Sequence, residues 1–201
     1  MLRYLGPKLK KLKQFNIHMH PGFSTKYSIL NKNFIKNNKA IISFYLLELL
    51  EKQKLKFTFS LTEKLIKKYI LFIHKYNYKK FNISTIIEAR LDKILFNIGY
   101  SITIAQARQL IVHGYFFVNF KLITNPSFLI KIGDIISLSS KSSFIFKLCK
   151  KNLYIKYIKT IKCNLNVYIC KKTCLSIFYS QINNYTFNSY NNLLIIQYYL
   201  H

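Results

Sequence analysis

A chain that repels itself can close only if something else cancels the charge, and this one carries 32 Lys and Arg against 6 Asp and Glu, a formal net charge of +26. So lopsided a balance requires a polyanionic partner. Nucleic acid suits it best, because each phosphate contact releases condensed counterions and converts positive charge into binding free energy. An anionic membrane would need a basic amphipathic helix or a polybasic flank beside an apolar span, whereas here the lysines run along the whole length. The longest apolar stretch, Ala40 to Leu50, contains Glu48 and is too short to cross a bilayer. No membrane association is expected.

With 201 residues and 51% hydrophobic content, the chain can bury a core, and two compact units are expected. Lys, Asn, Ile, Tyr and Phe are abundant, Arg occurs only as Arg3, Arg90 and Arg108, and Trp is missing. AT-rich codons supply that composition, which points to a reduced organellar genome. Part of the lysine excess then reflects codons, so charge alone overstates the nucleic-acid footprint. The opening MLRYLGPKLKKLK has neither the apolar run of a secretory signal nor the Arg- and Ser-rich pattern of an import peptide, so the protein is expected to work in the compartment that makes it.

Metal and catalytic chemistry lack their parts. Cys149, Cys163, Cys170 and Cys174 offer one C-x3-C pair and no second close pair, so free, partly buried thiols are expected and no zinc. His18 and His20 sit in a basic arm and read as solvent-exposed. The glycines are isolated, and no Ser/His/Asp or H-E-x-x-H arrangement is present. No cofactor and no small-molecule substrate are expected.

Along the chain, Met1 to Lys39 is basic, Asn-rich and broken by Gly6, Pro7, Pro21 and Gly22, so it reads as an extended arm with at most a short helix, ordering on its partner. A helix is predicted over Ala40 to Lys54 and a second from Thr62, as N-cap, to His74. Lys52, Lys54 and Lys56 lie between them and are readable equally as a solvated helix end or as phosphate contacts. A third helix should run unbroken from Asn82 or Ser84 to Ile98, where Gly99 stops it. Thr103 with Gln106 makes a capping box for Ile104 to His113, ended by Gly114. In that helix Ile104, Ala107 and Ile111 keep core spacing, which leaves Gln106, Arg108, Gln109 and His113 pointing away. Tyr115 to Asn119, Lys121 to Thr124 and Ile135 to Leu138 read as short strands, with Gly133-Asp134 a turn. The final run, Leu193 to Leu200, also reads as a strand.

From Arg90 to Asn119 the residues RLDKILFNIGYSITIAQARQLIVHGYFFVN, followed by KIGDIISL at Lys131 to Leu138, resemble the S-four RNA-binding module. Three flanking stretches resemble the S-four family of small-subunit ribosomal proteins, plastid type: RYLGPKLK from Arg3, EKQKLKF with LTEKL from Glu51 to Leu65, and LLIIQYYL from Leu193. Gln14 to Ala40 and Cys149 to Tyr190 lie outside the resemblance. It implies an α+β protein: a basic helical domain with an extended N-terminal arm over 1–87, the module of two short helices on a small twisted sheet over 88–145, and over 146–201 an extension whose closing strand packs back on the body.

By resemblance, the module's helices and the β-turn after them form a positively charged surface that grips structured RNA, with Arg108, Gln109 and His113 on or beside it. The residues expected to touch RNA are Arg3, Lys8, Lys10, Lys52, Lys54, Lys56, Arg90, Arg108, Gln109, His113 and Lys121. The implied partners are small-subunit ribosomal RNA and neighbouring small-subunit proteins near the path by which messenger RNA enters, and the implied role is a scaffold that nucleates assembly. A plastid ribosome, apicoplast-like, is favoured over a mitochondrial one. The family usually places Gly after Asn119; Phe120 stands here, and a looser or differently shaped hairpin is expected.

Two other readings compete. Arg90-Leu91-Asp92 matches the tripeptide that carries the catalytic Asp of pseudouridine synthases, although here Asp92 opens the binding module. Glu88 and Asp92, four apart, should instead share a helix face and pair with nearby lysines. The module also occurs in free-standing RNA-binding proteins.

Overall fold

The computed structural model describes residues 6, 8–15, 17, 43–75, 83–131, 133–139, 167–170, 175–178 and 191–200. Their elements are α1 (Lys8–Gln14), α2 (Phe44–Phe59), α3 (Glu63–Lys75), α4 (Ile83–Glu88), α5 (Leu91–Ile98), α6 (Ile104–Val112), β1 (Phe116–Val118), β2 (Lys121–Leu122), β3 (Ile135–Leu138), β4 (Val167–Cys170), β5 (Leu175–Phe178) and α7 (Asn192–Leu200). The chain divides into two units, Met1–Ile83 with Asn188–His201, and Ser84–Phe187. The three consecutive regions expected from the sequence are therefore redrawn: the C-terminal extension is shared, β4 and β5 going to the second unit and α7 to the first.

In the first unit α2 starts later than its apolar run, because Ser43 Oγ accepts from the Leu46 N–H at 3.3 Å and caps the helix there. It ends at Ser60, whose left-handed backbone (φ 49°) lets its N–H reach the carbonyls of Lys56 and Phe57. α3 follows directly after Thr62, as expected. α1 is folded onto this unit: Leu12, Phe15 and Ile17 are buried with Leu50 and Phe57 beside them.

The predicted closing strand is a helix. Ile195, Tyr198 and Tyr199 of α7 stand three and four residues apart on one helical face. Ile195 is fully buried, Tyr199 OH donates to Glu63 Oε1 at 2.7 Å, and the Asn191 N–H donates to Glu51 Oε2 at 3.3 Å. The β-preferring Ile and Tyr are overridden by this docking on α2 and α3, and a uniformly apolar run carries no period by which to tell helix from strand.

In the second unit the single long helix expected up to Ile98 is two. At Arg90 the backbone is extended (φ −69°, ψ 141°), and α5 begins after it. The backbone groups at the break find partners in the loop after β2: the Leu91 N–H donates to Phe128 O at 2.8 Å and the Asp92 N–H to Pro126 O at 3.3 Å, while the Ala89 carbonyl accepts from the Ile130 N–H at 2.9 Å. Apolar spacing runs on through the break, so periodicity could not reveal it.

Gly99 (φ 106°) closes α5 with its N–H on Leu95 O, a conformation that a side chain would disfavour. Thr103 Oγ1 then accepts from the Gln106 N–H at 3.2 Å to open α6, while Gln106 Oε1 accepts from the Ile102 N–H at 2.9 Å, one residue before the expected partner. The strands form one antiparallel sheet in the order β2-β1-β3-β5-β4. Leu91, Ile94, Leu95 and Ile98 of α5 meet Ala107 and Ile111 of α6 and Phe116 and Val118 of β1. Each large aliphatic buried there contributes roughly 1.5–3 kcal/mol.

Candidate nucleic-acid interface

The helix pair α5–α6 is fastened by charge as well as by packing. Asp92, in the first turn of α5, is 1% exposed and accepts three hydrogen bonds: Arg90 Nε to Oδ1 at 3.0 Å, Arg90 Nη2 to Oδ2 at 2.8 Å, and Arg108 Nε to Oδ2 at 2.7 Å. Arg90 and Arg108 are themselves 2% and 6% exposed. Both were expected at the RNA surface, and both turn inward instead, since a buried carboxylate needs cations and the forked guanidinium supplies planar donors to both oxygens. Asp92 is hydrogen-bonded to arginines, while the nearby lysine expected for the two acids is Lys93, whose charge acts on both Glu88 and Asp92.

Glu88 does not share a helix with Asp92, because the break lies between them. It is buried with Oε1 lacking a hydrogen-bond partner, and burial pushes its carboxyl up to about 7 against the opposing pull of Lys93.

What α6 leaves outside is Gln109 and His113, both exposed, and β2 adds the exposed Lys121. Gly114 (φ 72°) follows His113, and a Cβ built there would stand 3.5 Å from Leu122 Cδ1, so the end of α6 lies close against β2. Gln109, His113 and Lys121 give these two elements a polar edge, with Val112 and Leu122 also exposed. The hairpin between β1 and β2 is a tight two-residue turn, with Val118 paired to Lys121 and both Asn119 (φ 49°) and Phe120 (φ 63°) left-handed. The looser hairpin expected from Phe120 is not what forms. Asn119 braces the turn: its Nδ2 donates to Asp134 Oδ1 at 2.8 Å and its Oδ1 accepts from the Ile135 N–H at 3.0 Å. Asp134 Oδ2 also accepts from the Lys131 N–H at 2.8 Å.

Three lysines of the helical unit, Lys52, Lys54 and Lys56, are engaged with carboxylates. Lys52 is 8% exposed, pairs with Glu63 Oε1 at 3.0 Å and lies 3.9 Å from the centre of the Tyr198 ring. Neither the solvated helix end nor the phosphate contact expected of it describes that position. Lys56 pairs with Glu63 Oε2 at 3.0 Å and Lys54 with Glu51 at 3.5 Å, so both cations are shared with an acid while remaining at least partly accessible. Burial would raise the Glu63 carboxyl, but hydrogen bonds from Tyr199, Lys52 and Lys56 outweigh it and hold the group at about 2.

Residues 89–136 match the S4 domain family. Over 199 residues, 99% of both chains, the sequence is 72% identical to the small ribosomal subunit protein uS4c of Eimeria tenella. The uS4c of Toxoplasma gondii is 40% identical over 84% of this chain and 82% of its own, and that of Phaeodactylum tricornutum is 33% identical over 99% and 98%. The chain belongs to the uS4 family of small ribosomal subunit proteins. In this uS4 member the S4 domain opens at the α4–α5 break and closes in β3, so it holds the Asp92 cluster, the α6 edge and the hairpin together.

Of the remaining residues expected at RNA, Lys10 is exposed on α1, Lys8 begins that helix, and Arg3 lies outside the described residues. Cys149, Cys163 and Cys174 lie outside them too, as do His18 and His20, and Cys170 belongs to β4. Among the described residues no group of three His, Cys, Asp or Glu is placed to hold a metal, and no helix is long and apolar enough to cross a membrane. Sequence reasoning missed Asp92 as the organiser of the uS4 helix pair. Its signal was present: one of only 6 acids, two residues from Arg90 and set among the apolar residues of an amphipathic helix.

Proposed function

We propose that this chain is a structural constituent of a plastid small ribosomal subunit, an apicoplast-type one, binding small-subunit ribosomal RNA directly and nucleating its folding beside neighbouring proteins near the path of messenger RNA. The observation that carries the reading is similarity to uS4c across 99% of both chains, which takes in the helical unit and not the S4 domain alone. Charge agrees with it. The six acids are Glu48, Glu51, Glu63, Glu88, Asp92 and Asp134, and each is buried or bonded within the fold. The positive excess is left for an external polyanion, and of the residues expected at RNA, Lys10, Lys56, Gln109, His113 and Lys121 are exposed. The pseudouridine-synthase reading needs Asp92 to reach a base, whereas here the carboxylate is closed in between two guanidiniums.

The test is sedimentation of the tagged full chain with small ribosomal subunits in high salt. Binding of the purified chain to a small-subunit ribosomal RNA transcript, compared with an unrelated duplex over a salt series, supplies the direct measurement. Retention on the subunit and tighter binding to the transcript are expected. Release into the soluble fraction together with equal affinity for the two RNAs would remove the reading.

A further inference from the structure

Phe120 occupies a position that its own side chain makes uncomfortable, and among the described residues it gains little packing in return. The second residue of a two-residue hairpin turn is left-handed, where glycine is favoured and a bulky side chain crowds the backbone. Phe120 adopts that conformation at φ 63°, yet the residue is 80% exposed, so among the described residues little packing offsets the strain. Single exposed hydrophobics need no explanation, but one held in a strained conformation does.

The base under the ring is firm. Asn119 is clamped to Asp134 and to the Ile135 N–H, and Asp134 is bonded in turn to the Lys131 N–H. A ring projected from a braced turn loses little freedom on binding. The chemistry around it is cationic. Lys121 is the next residue and is exposed, Lys131 is exposed on the loop of the same brace, and the one acid there, Asp134, is already occupied by its hydrogen bonds. A flat, exposed aromatic among cations is how proteins take hold of unpaired nucleotides: the ring stacks on a base while lysine neutralises phosphate. β2 is also the edge strand of the sheet, which leaves the hairpin approachable from one side.

We infer that Phe120 is a stacking platform for an unpaired base of the RNA this chain binds, so that the hairpin recognises a bulged or looped nucleotide where Gln109, His113 and Lys121 meet the backbone. This rests on the RNA-binding function proposed above.

The test uses the full-length chain, Phe120→Gly, Phe120→Trp and Lys121→Ala, with a small-subunit ribosomal RNA transcript and a fully paired duplex as probes. Phe120→Gly should raise the melting temperature of the free protein, because the turn relaxes, and yet lower affinity for the transcript about 5- to 100-fold, the scale of one lost base stack. Its salt dependence should match the parent, and duplex affinity should not change. Lys121→Ala should instead flatten the log-affinity versus log-salt slope by roughly 1. The chain has 0 Trp, so Phe120→Trp introduces a single indole; it should keep near-parental affinity and be quenched by the transcript alone. Opposite effects on stability and binding support the inference, since a purely structural residue would move both the same way. If Phe120→Gly binds the transcript as the parent does while Lys121→Ala still weakens it, stacking is overturned and RNA binding stands. If Phe120→Gly spares the transcript but loses association with other small-subunit proteins, Phe120 is a protein contact and the inference is overturned. If the parent binds neither RNA, both fail.

Discussion

The helical unit and the S4 module each hold a carboxylate between two cations, but in different surroundings. In the helical unit Glu63 receives Lys52 and Lys56 at 3.0 Å each and is itself 43% exposed, so water shares the work. In the module Asp92 receives Arg90 and Arg108 with almost no exposure at all. Screening weakens the first cluster, and side-chain freedom must be given up to hold it. The second gains more from each contact and carries a larger desolvation penalty, so its worth lies in completeness: removing one member leaves buried charge uncompensated. Basic residues that look alike in the sequence therefore do different jobs, and two of the three arginines are fasteners.

The sharpest way to break that contrast is Asp92→Asn, which keeps the size and removes the buried charge that the two guanidiniums share. A loss of about 3–5 kcal/mol in urea denaturation is expected, enough to leave the module marginal. A cost below about 1 kcal/mol would make this cluster no different from a surface pair. By the same logic Arg108→Ala should act mainly on stability and only through it on RNA affinity.

Glu88 sharpens the contrast within the module, since it is a buried acid with an unpartnered oxygen. Folded, it keeps its proton up to about 7, while in the unfolded chain it releases it near its ordinary 4.5. The folded state thus binds more protons between those values. Its contribution is fully present below about 4.5, falls as pH rises towards 7 and then levels off. Glu88→Gln should flatten that slope relative to the parent and, above pH 7, stabilise the chain by an amount on the order of 2 kcal/mol, read from denaturation midpoints between pH 5 and 8. A variant that follows the parent's pH profile would show that Glu88 is charged and solvated. The smallest effect belongs to the helical unit. Lys54→Ala, which removes the 3.5 Å pair with Glu51, should cost roughly 0–1 kcal/mol and become undetectable by thermal melting in high salt.

Local signals in the sequence carried much of this architecture. Gly99 and Gly114 as helix stops, the Thr103–Gln106 cap and the three strands after α6 depend on a residue and its near neighbours, and each was legible. What could not be read was set by partners distant in the chain. The break at Arg90 needs the Phe128 carbonyl, the helical state of α7 needs α2 and α3, and the inward turn of Arg108 needs Asp92. Among the site residues the same division holds. Gln109, His113 and Lys121 are outside because helix spacing and turn position put them there, whereas Arg90, Arg108 and Lys52 are inside because an acid was waiting.

The hydrogen bonds that replace helix at Ala89 to Asp92 also order events in time. α5 is synthesised before the loop that completes its first turn, for its amides wait on the carbonyls of Pro126 and Phe128, and Ile130 must return to Ala89. α6 is capped by near neighbours and the β1–β2 turn is short, while these closures, like the Asn119–Asp134 brace, span the intervening chain and carry the loop-closure entropy. Vectorial synthesis therefore cannot build the module piece by piece from its N-terminal side. The Arg90–Asp92–Arg108 cluster can pair before Ile130 emerges, but its buried setting is complete only when the loop has returned to Ala89, Leu91 and Asp92.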